Sequence, residues 1–312
     1  MKAIPVIDGP LINVFGWLTA PDCLPIISVP GVGESPAAPC NFNESSAVIL
    51  QDEIERGVVD VPFAIRKKSG VARSRSASKA TIFASTLGQE FIKYCHASGE
   101  NIGITCVSSS STLPIAWEFE SVGVRDGWNE TDTMLLPSSI PSAISTQIAA
   151  AHNLHATALT FLDGMMRACS ALEYAALCFH YQRAQEILLL CAEEVSPPHQ
   201  IAAEHINYAH AGLLFNGASG IVLSAPTQKA TGWQFKIIYR YSPGEQIEFP
   251  PEWRTDRAYY EMVLKSELTA FTSWLLPLFI HQSVSEAKNH RIIVKCGHEN
   301  LGGFVLGLEW KG

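Results

Sequence analysis

The sequence predicts an α/β protein in which parallel strands are joined by crossover helices, and three stretches carry that expectation. In residues 157–162 (TALTFL) small or polar residues alternate with apolar ones, the period of a strand, and residues 186–191 (EILLLC) form the continuous apolar run of a buried strand. Between them, Met165, Ala168, Cys169, Leu172, Ala175, Ala176 and Phe179 recur on one face of a helix over 164–182. Strand, helix and strand make a parallel βαβ unit with its turn at Asp163-Gly164-Met165. A second helix-to-strand succession, 76–96 then 101–108, precedes it, and two strands, 291–296 and 304–310, close the chain.

Composition bounds the function. With 312 residues, 47% of them apolar, the chain can bury a large core as one big domain or two fused halves. A net charge of −8 argues against nucleic acid as a partner, which requires a basic face. No run reaches the ~18 apolar residues of a membrane span, and no basic start leads into an apolar leader, so a cytoplasmic protein is expected. The eight cysteines show no C-x-x-C pair or zinc spacing, and most are expected to be reduced core thiols. Without a leader, the Asn-x-Ser/Thr sequences at Asn43 and Asn129 carry no glycosylation signal. There is no G-x-S-x-G elbow, H-E-x-x-H, Walker loop or strand-linked G-x-G-x-x-G, and no cofactor is expected.

The elements in order are as follows. Apolar stretches at 4–7 and 11–18, parted by Asp8-Gly9-Pro10, suggest a strand entering the core, and 21–46, rich in Pro, Gly, Ser and Ala, reads as loop. A basic cluster at Arg66, Lys67, Lys68, Arg73, Arg75 and Lys79 reads either as a solvated face or as a docking patch for an acidic partner. In the helix over 76–96, Ala80, Ile82, Phe83, Leu87, Phe91, Ile92 and Tyr94 supply the apolar positions. Residues 113–130 are acidic and aromatic and end in turn residues, and a Pro/Ser loop at 137–142 introduces a helix over 143–151. Pro197-Pro198 breaks the chain before a polar loop or short helix at 199–211; strands follow at 217–224 and 233–241. A helix is expected over 256–274, reaching 281 only if Pro277 fails to kink or stop it.

Residues 137–196 resemble the ketosynthase stretch of thiolase-like condensing enzymes, where a loop, a helix and a strand lead to a nucleophilic cysteine at a helix N-terminus. There the helix dipole favours the thiolate. In that family a helix and a second strand follow, ending in A-G-G-A-E; here the end is Leu190-Cys191-Ala192-Glu193. Residues 76–108 resemble the preceding helix and strand, 217–224 the strand G-E-G-A-G-V-L-V-L-E with Asn216 at the glutamate, and 298–303 the N-S-F-G-F-G-G-T-N hairpin with two glycines kept. The histidine segments H-G-T-G-T and G-H-x-x-G-A-A-G are absent, and His152, His155, His180 and His281 read as ordinary helix or loop residues.

Two alignments compete for the nucleophile position. Taking Ala168-Cys169-Ser170 as the family's A-C-S leaves the helix about four residues, roughly one turn, too short. Counting back from Ala192-Glu193 without a gap puts Met165 there and Cys169 one turn inside, where a buried thiol behaves as a hydrophobe. The resemblance, on the Met165 alignment, implies a thiolase-like layered αβαβα fold, complete over 1–224 and abbreviated over 225–312. It implies a non-condensing chain length factor that pairs with a catalytic ketosynthase in polyketide synthesis, of the aryl polyene type by analogy, with the chain carried on an acyl carrier protein. Phe161, Leu162, Met165, Met166 and Cys169 would then line the shared acyl tunnel or the subunit interface, or else simply pack the core. The alternatives are a divergent ketosynthase or acyltransferase using Cys169, and a homodimeric scaffold.

Overall fold

The computed structural model describes residues 9–20, 22–32, 36–37, 40–41, 49–50, 61–72, 76–109, 111–197, 201, 216–226, 231–254, 257–264, 272–298 and 300–312. Its elements are β1 (Leu11–Thr19), β2 (Ile26–Ser28), β3 (Cys40–Asn41), β4 (Ile49–Leu50), α1 (Phe63–Lys68), α2 (Lys79–Ile92), β5 (Ile102–Val107), α3 (Leu113–Asp126), α4 (Ala143–His152), β6 (Ala158–Phe161), α5 (Met165–His180), β7 (Glu186–Glu193), β8 (Gly217–Ser224), β9 (Gly232–Tyr241), β10 (Ala258–Leu264), α6 (Leu275–Glu286), β11 (Arg291–His298) and β12 (Gly302–Lys311).

The main sheet runs β10-β11-β12-β9-β1-β8-β7-β5-β6, with β2 also paired to β1. The expected βαβ unit is present and parallel: β6 pairs with β5, and β5 with β7. Near its centre the sheet divides. Leu11 and Ile12 pair with β9, but beyond an irregularity at Asn13 the same side of β1 turns to β2. An extra residue in one strand bends it, so the two wings part there. Each sheet face buries alternate residues, as the two-residue period of a strand requires. Ile187, Leu189 and Cys191 of β7 join the core on which α5 and α6 lie, while Leu188, Leu190 and Ala192 join the core under α2 and α4. In the other wing, Ile292 and Val294 of β11 face the helix pair and Ile293 faces outward. The layers are therefore α2 and α4, one wing, α5 and α6, and the other wing.

Local chemistry sets the joints. Ser78 caps α2 by accepting the Thr81 N–H at 3.1 Å, satisfying one of the donors a helix start leaves open. Phe91 near the end of α2 lies in space left by two glycines: a Cβ at Gly16 would come within 2.7 Å of its ring and one at Gly220 within 2.9 Å. Asn153, at φ 57° and ψ 48°, ends α4 in the left-handed conformation that asparagine tolerates.

Three expectations are corrected. Residues 258–264 form strand β10, parallel to β11, where a helix was expected. In AYYEMVL, Ala258, Tyr260 and Met262 pack on the inner core while Tyr259 is exposed, a period of two that the helical reading overrode. The helix begins only at Leu275, so Pro277 sits in its first turn, where its missing N–H has no intrahelical bond to lose. Residues 113–126, assigned no element from sequence, form α3, with Pro114 in its first turn and only Ile115 and Gly123 buried. The 21–46 loop contains β2, paired with β1, and part of a two-stranded sheet, β3 with β4. The stretch 4–7 and, apart from Ile201, the stretch 199–211 lie outside the described residues, as do Arg73 and Arg75 of the basic cluster. No described helix is long and apolar enough to cross a membrane.

Candidate functional site

The site expected from the sequence lies where β6 hands over to α5. Asp163 makes the turn with φ 114°, a backbone region disfavoured for any residue with a Cβ, and its carboxylate accepts the Gly164 N–H at 2.7 Å. Helix α5 opens at Met165, whose side chain is buried. Its N–H, one of the open donors of the first turn, is taken by the Thr272 hydroxyl at 3.3 Å, three residues before α6 begins. The two central helices thus meet at their N-terminal ends.

Cys169 lies one turn further in, fully buried, its Sγ 3.6 Å from the Sγ of Cys296 on β11. Burial, with the Cys296 thiol beside it, pushes the Cys169 thiol well above the ordinary range, which favours an inert thiol over a nucleophile. Phe161 ends β6 partly buried, its ring edge-on to Tyr174 at 6.1 Å. Leu162 is exposed in the turn, and Met166 packs partly buried against the same core. The five residues singled out from the sequence therefore divide. Met165 and Cys169 point into the protein, whereas Phe161, Leu162 and Met166 stay partly accessible beside β6, which pairs with β5 only among the described residues.

His152, His155, His281 and His298 are engaged elsewhere. His152 meets the Ser85 hydroxyl at 2.9 Å and His155 the Asn153 side chain at 2.9 Å. His281, on α6, packs against Phe15 and Trp17, and His298 accepts the Asn300 N–H at 3.1 Å within the β11–β12 turn. His199, His205 and His210 lie outside the described residues. Among the described residues no group of three His, Cys, Asp or Glu side chains could hold a metal.

Sequence reasoning used Glu193 only as an anchor and missed its role. Its buried carboxylate accepts the Ser273 hydroxyl at 2.7 Å, the Ser109 N–H at 3.2 Å and the Ser109 hydroxyl at 3.0 Å, joining the ends of β7 and β5 to the start of α6. The available signal was a pair of acids, Glu193-Glu194, directly after the apolar run 187–192, since a charge there must be met by donors. Glu194 is the second. Its carboxylate accepts the Ala80 N–H at 2.6 Å at the start of α2, and burial pushes its pKa up to about 7 despite that bond and the nearby Lys79 and Arg66.

No protein-family model matches the chain, and no curated protein matches it in sequence. Solved structures do. The ishigamide ketosynthase/chain length factor aligns with a TM-score of 0.64 at 14% identity, over 97% of this chain and 100% of that one. A beta-ketoacyl synthase from Burkholderia phymatum STM815 gives 0.60 at 12% identity, over 98% and 99%. A type II polyketide ketosynthase solved with its acyl-carrier protein and bound to the hexaketide gives 0.54 at 12%, over 75% and 84%. At these identities the likeness establishes the fold: the chain has the thiolase-like fold that ketosynthases and chain length factors share.

Proposed function

We propose that this chain is a non-condensing, chain-length-factor-type subunit that pairs with a catalytic ketosynthase and shapes its acyl tunnel during polyketide elongation. The observation that carries the reading is Met165 at the head of α5, where the resemblance expects a cysteine. A thioether can neither ionise nor form an acyl intermediate, and the amide that would otherwise face a developing oxyanion is bonded to Thr272. Cys169 is a poor substitute, being fully buried against Cys296. Decarboxylative condensation also needs polarising histidines, and His152, His155, His281 and His298 are held by other partners.

The division into halves at 1–224 and 225–312 is part of the proposal. Its support is that β6-β5-β7-β8-β1 and β10-β11-β12-β9 repeat one pattern of parallel pairing followed by antiparallel pairing, with one fewer strand in the second. The partner would cover the edge of β6, with Phe161, Leu162 and Met166 beside it, because an open strand edge flanked by apolar side chains invites pairing. The growing chain would be delivered on an acyl carrier protein through the partner's cysteine.

Co-expression with type II ketosynthases, followed by gel filtration and product mass analysis, tests the reading. A one-to-one complex is expected, weakened by Phe161→Asp, which would put an uncompensated charge in an apolar contact, and yielding longer products with Met166→Ala. A stable chain that binds no ketosynthase would overturn it.

A further inference from the structure

A cavity of about 400 Å³ opens at the end of α6 remote from Met165. Its walls come from Phe15 of β1, the 29–32 loop after β2, Trp233 at the start of β9, Trp310 near the end of β12, and the last turn of α6. Four of its lining residues are aromatic: Phe15, Trp233, His281 and Trp310. Trp233 and Trp310 are cross-strand partners whose rings meet edge to face at 5.7 Å and 68°. The His281 imidazole lies 5.2 Å from Phe15 and 4.9 Å from Trp17, and burial pushes its pKa down to about 4, so it stands as a neutral ring at pH 7. Gly31, with φ 77°, lays its backbone against Trp310: a Cβ there would stand 3.1 Å from the indole. A side chain would be strained by that φ and would crowd the wall.

The rim has the opposite character. Lys288 and His290 are exposed at the mouth, with the hydroxyls of Ser28 and Ser285 on the lining. Among the described residues no aspartate or glutamate lines the cavity, in a chain with 30 of them and a net charge of −8. Of the flanking carboxylates, Glu309 is paired with Arg291 at 2.8 Å, and Glu286 accepts from the Gln282 amide at 2.7 Å and is not among the lining residues. A hollow of ligand size with aromatic walls and a cationic mouth, on an acidic protein, selects an apolar plane bearing one negative charge.

We propose that this cavity is a binding site for a small planar organic acid, its ring system against Trp233 and Trp310 and its carboxylate at Lys288. The site is independent of the acyl reading, because no residue assigned to the tunnel lines it. Isothermal titration of the purified chain with 2-naphthoate, and with the neutral 2-naphthamide as its isostere, tests it. One-to-one saturable binding of the acid is expected, with the amide weaker by about fivefold or more, as is the acid for Lys288→Glu, in keeping with a partly exposed charge pair. Ser285→Trp, which fills the mouth, should abolish binding while circular dichroism shows both variants folded. No saturable binding of the acid to the unaltered chain, an amide that binds equally well, or acid binding unchanged in the two folded variants would overturn the proposal.

Discussion

The two wings of the sheet share their inner layer and differ in their outer one. The wing from β1 to β6 is roofed by α2 and α4, under which Phe83, Leu87, Phe91, Ile144 and Ile148 are fully buried. Among the described residues, the outer face of the wing from β9 to β12 buries a smaller group, Ile237, Tyr241, Trp253, Ile293 and Val305. Both wings instead press on α5 and α6, whose starts meet at Met165 and Thr272. The handover turn is thus held by its inner neighbours, while α4 of the outer layer reaches β6 one residue before it ends, where the Ser145 hydroxyl accepts from the Thr160 hydroxyl at 2.8 Å.

The largest expected effects come from breaking that contrast directly. Phe83→Ala should cost about 4 kcal/mol, because a closed core leaves a cavity, while Trp253→Ala should cost about 2 kcal/mol, its thinner surroundings being freer to collapse. Denaturant titration reads both, and equal losses would mean the outer faces are alike. Between the wings, Glu193→Ala should cost about 3 kcal/mol, since it strips the buried Ser273 hydroxyl and the Ser109 N–H of their acceptor. A loss below 1 kcal/mol would remove Glu193 as the clasp.

A smaller effect follows from Glu194 under the first wing. Its folded pKa, about 7, lies above the usual carboxylate value of 4.5, so its contribution is fully present below about pH 4.5 and is lost as pH rises through 7. Glu194→Gln keeps an acceptor for the Ala80 N–H and cannot ionise. Thermal melts from pH 4 to 8 should therefore show a shallower decline in the variant; parallel curves would show that Glu194 does not titrate in this range.

Legibility followed the length of the periodic signal. The βαβ unit at 158–193 and the closing strands β11 and β12 were readable because long runs repeat every two or 3.6 residues against one buried face. Helix α3 was not: Ile115, Phe119 and Val122 do recur at helical spacing, but among acidic residues and before the turn residues Asp126-Gly127, and the helix buries only Ile115 and Gly123. For β10, the seven alternating residues were merged with the apolar residues of the later helix into one helical pattern. The contacts of the site were less legible still. Thr272 with Met165, Ser273 with Glu193 and Cys296 with Cys169 are separated by 107, 80 and 127 residues, and nothing local in the sequence encodes them.

The most direct test of the central claim, that the head of α5 carries no nucleophile, is acyl loading followed by intact-mass and peptide mass spectrometry. The purified chain, alone and in complex with a ketosynthase, would be incubated with acyl- and malonyl-loaded carrier protein. The account predicts acylation of the ketosynthase cysteine only and no condensation product from the chain alone, because Met165 cannot form a thioester and Cys169 is sealed against Cys296. An acyl adduct on Cys169, with turnover by the single chain that Cys169→Ala abolishes, would contradict it.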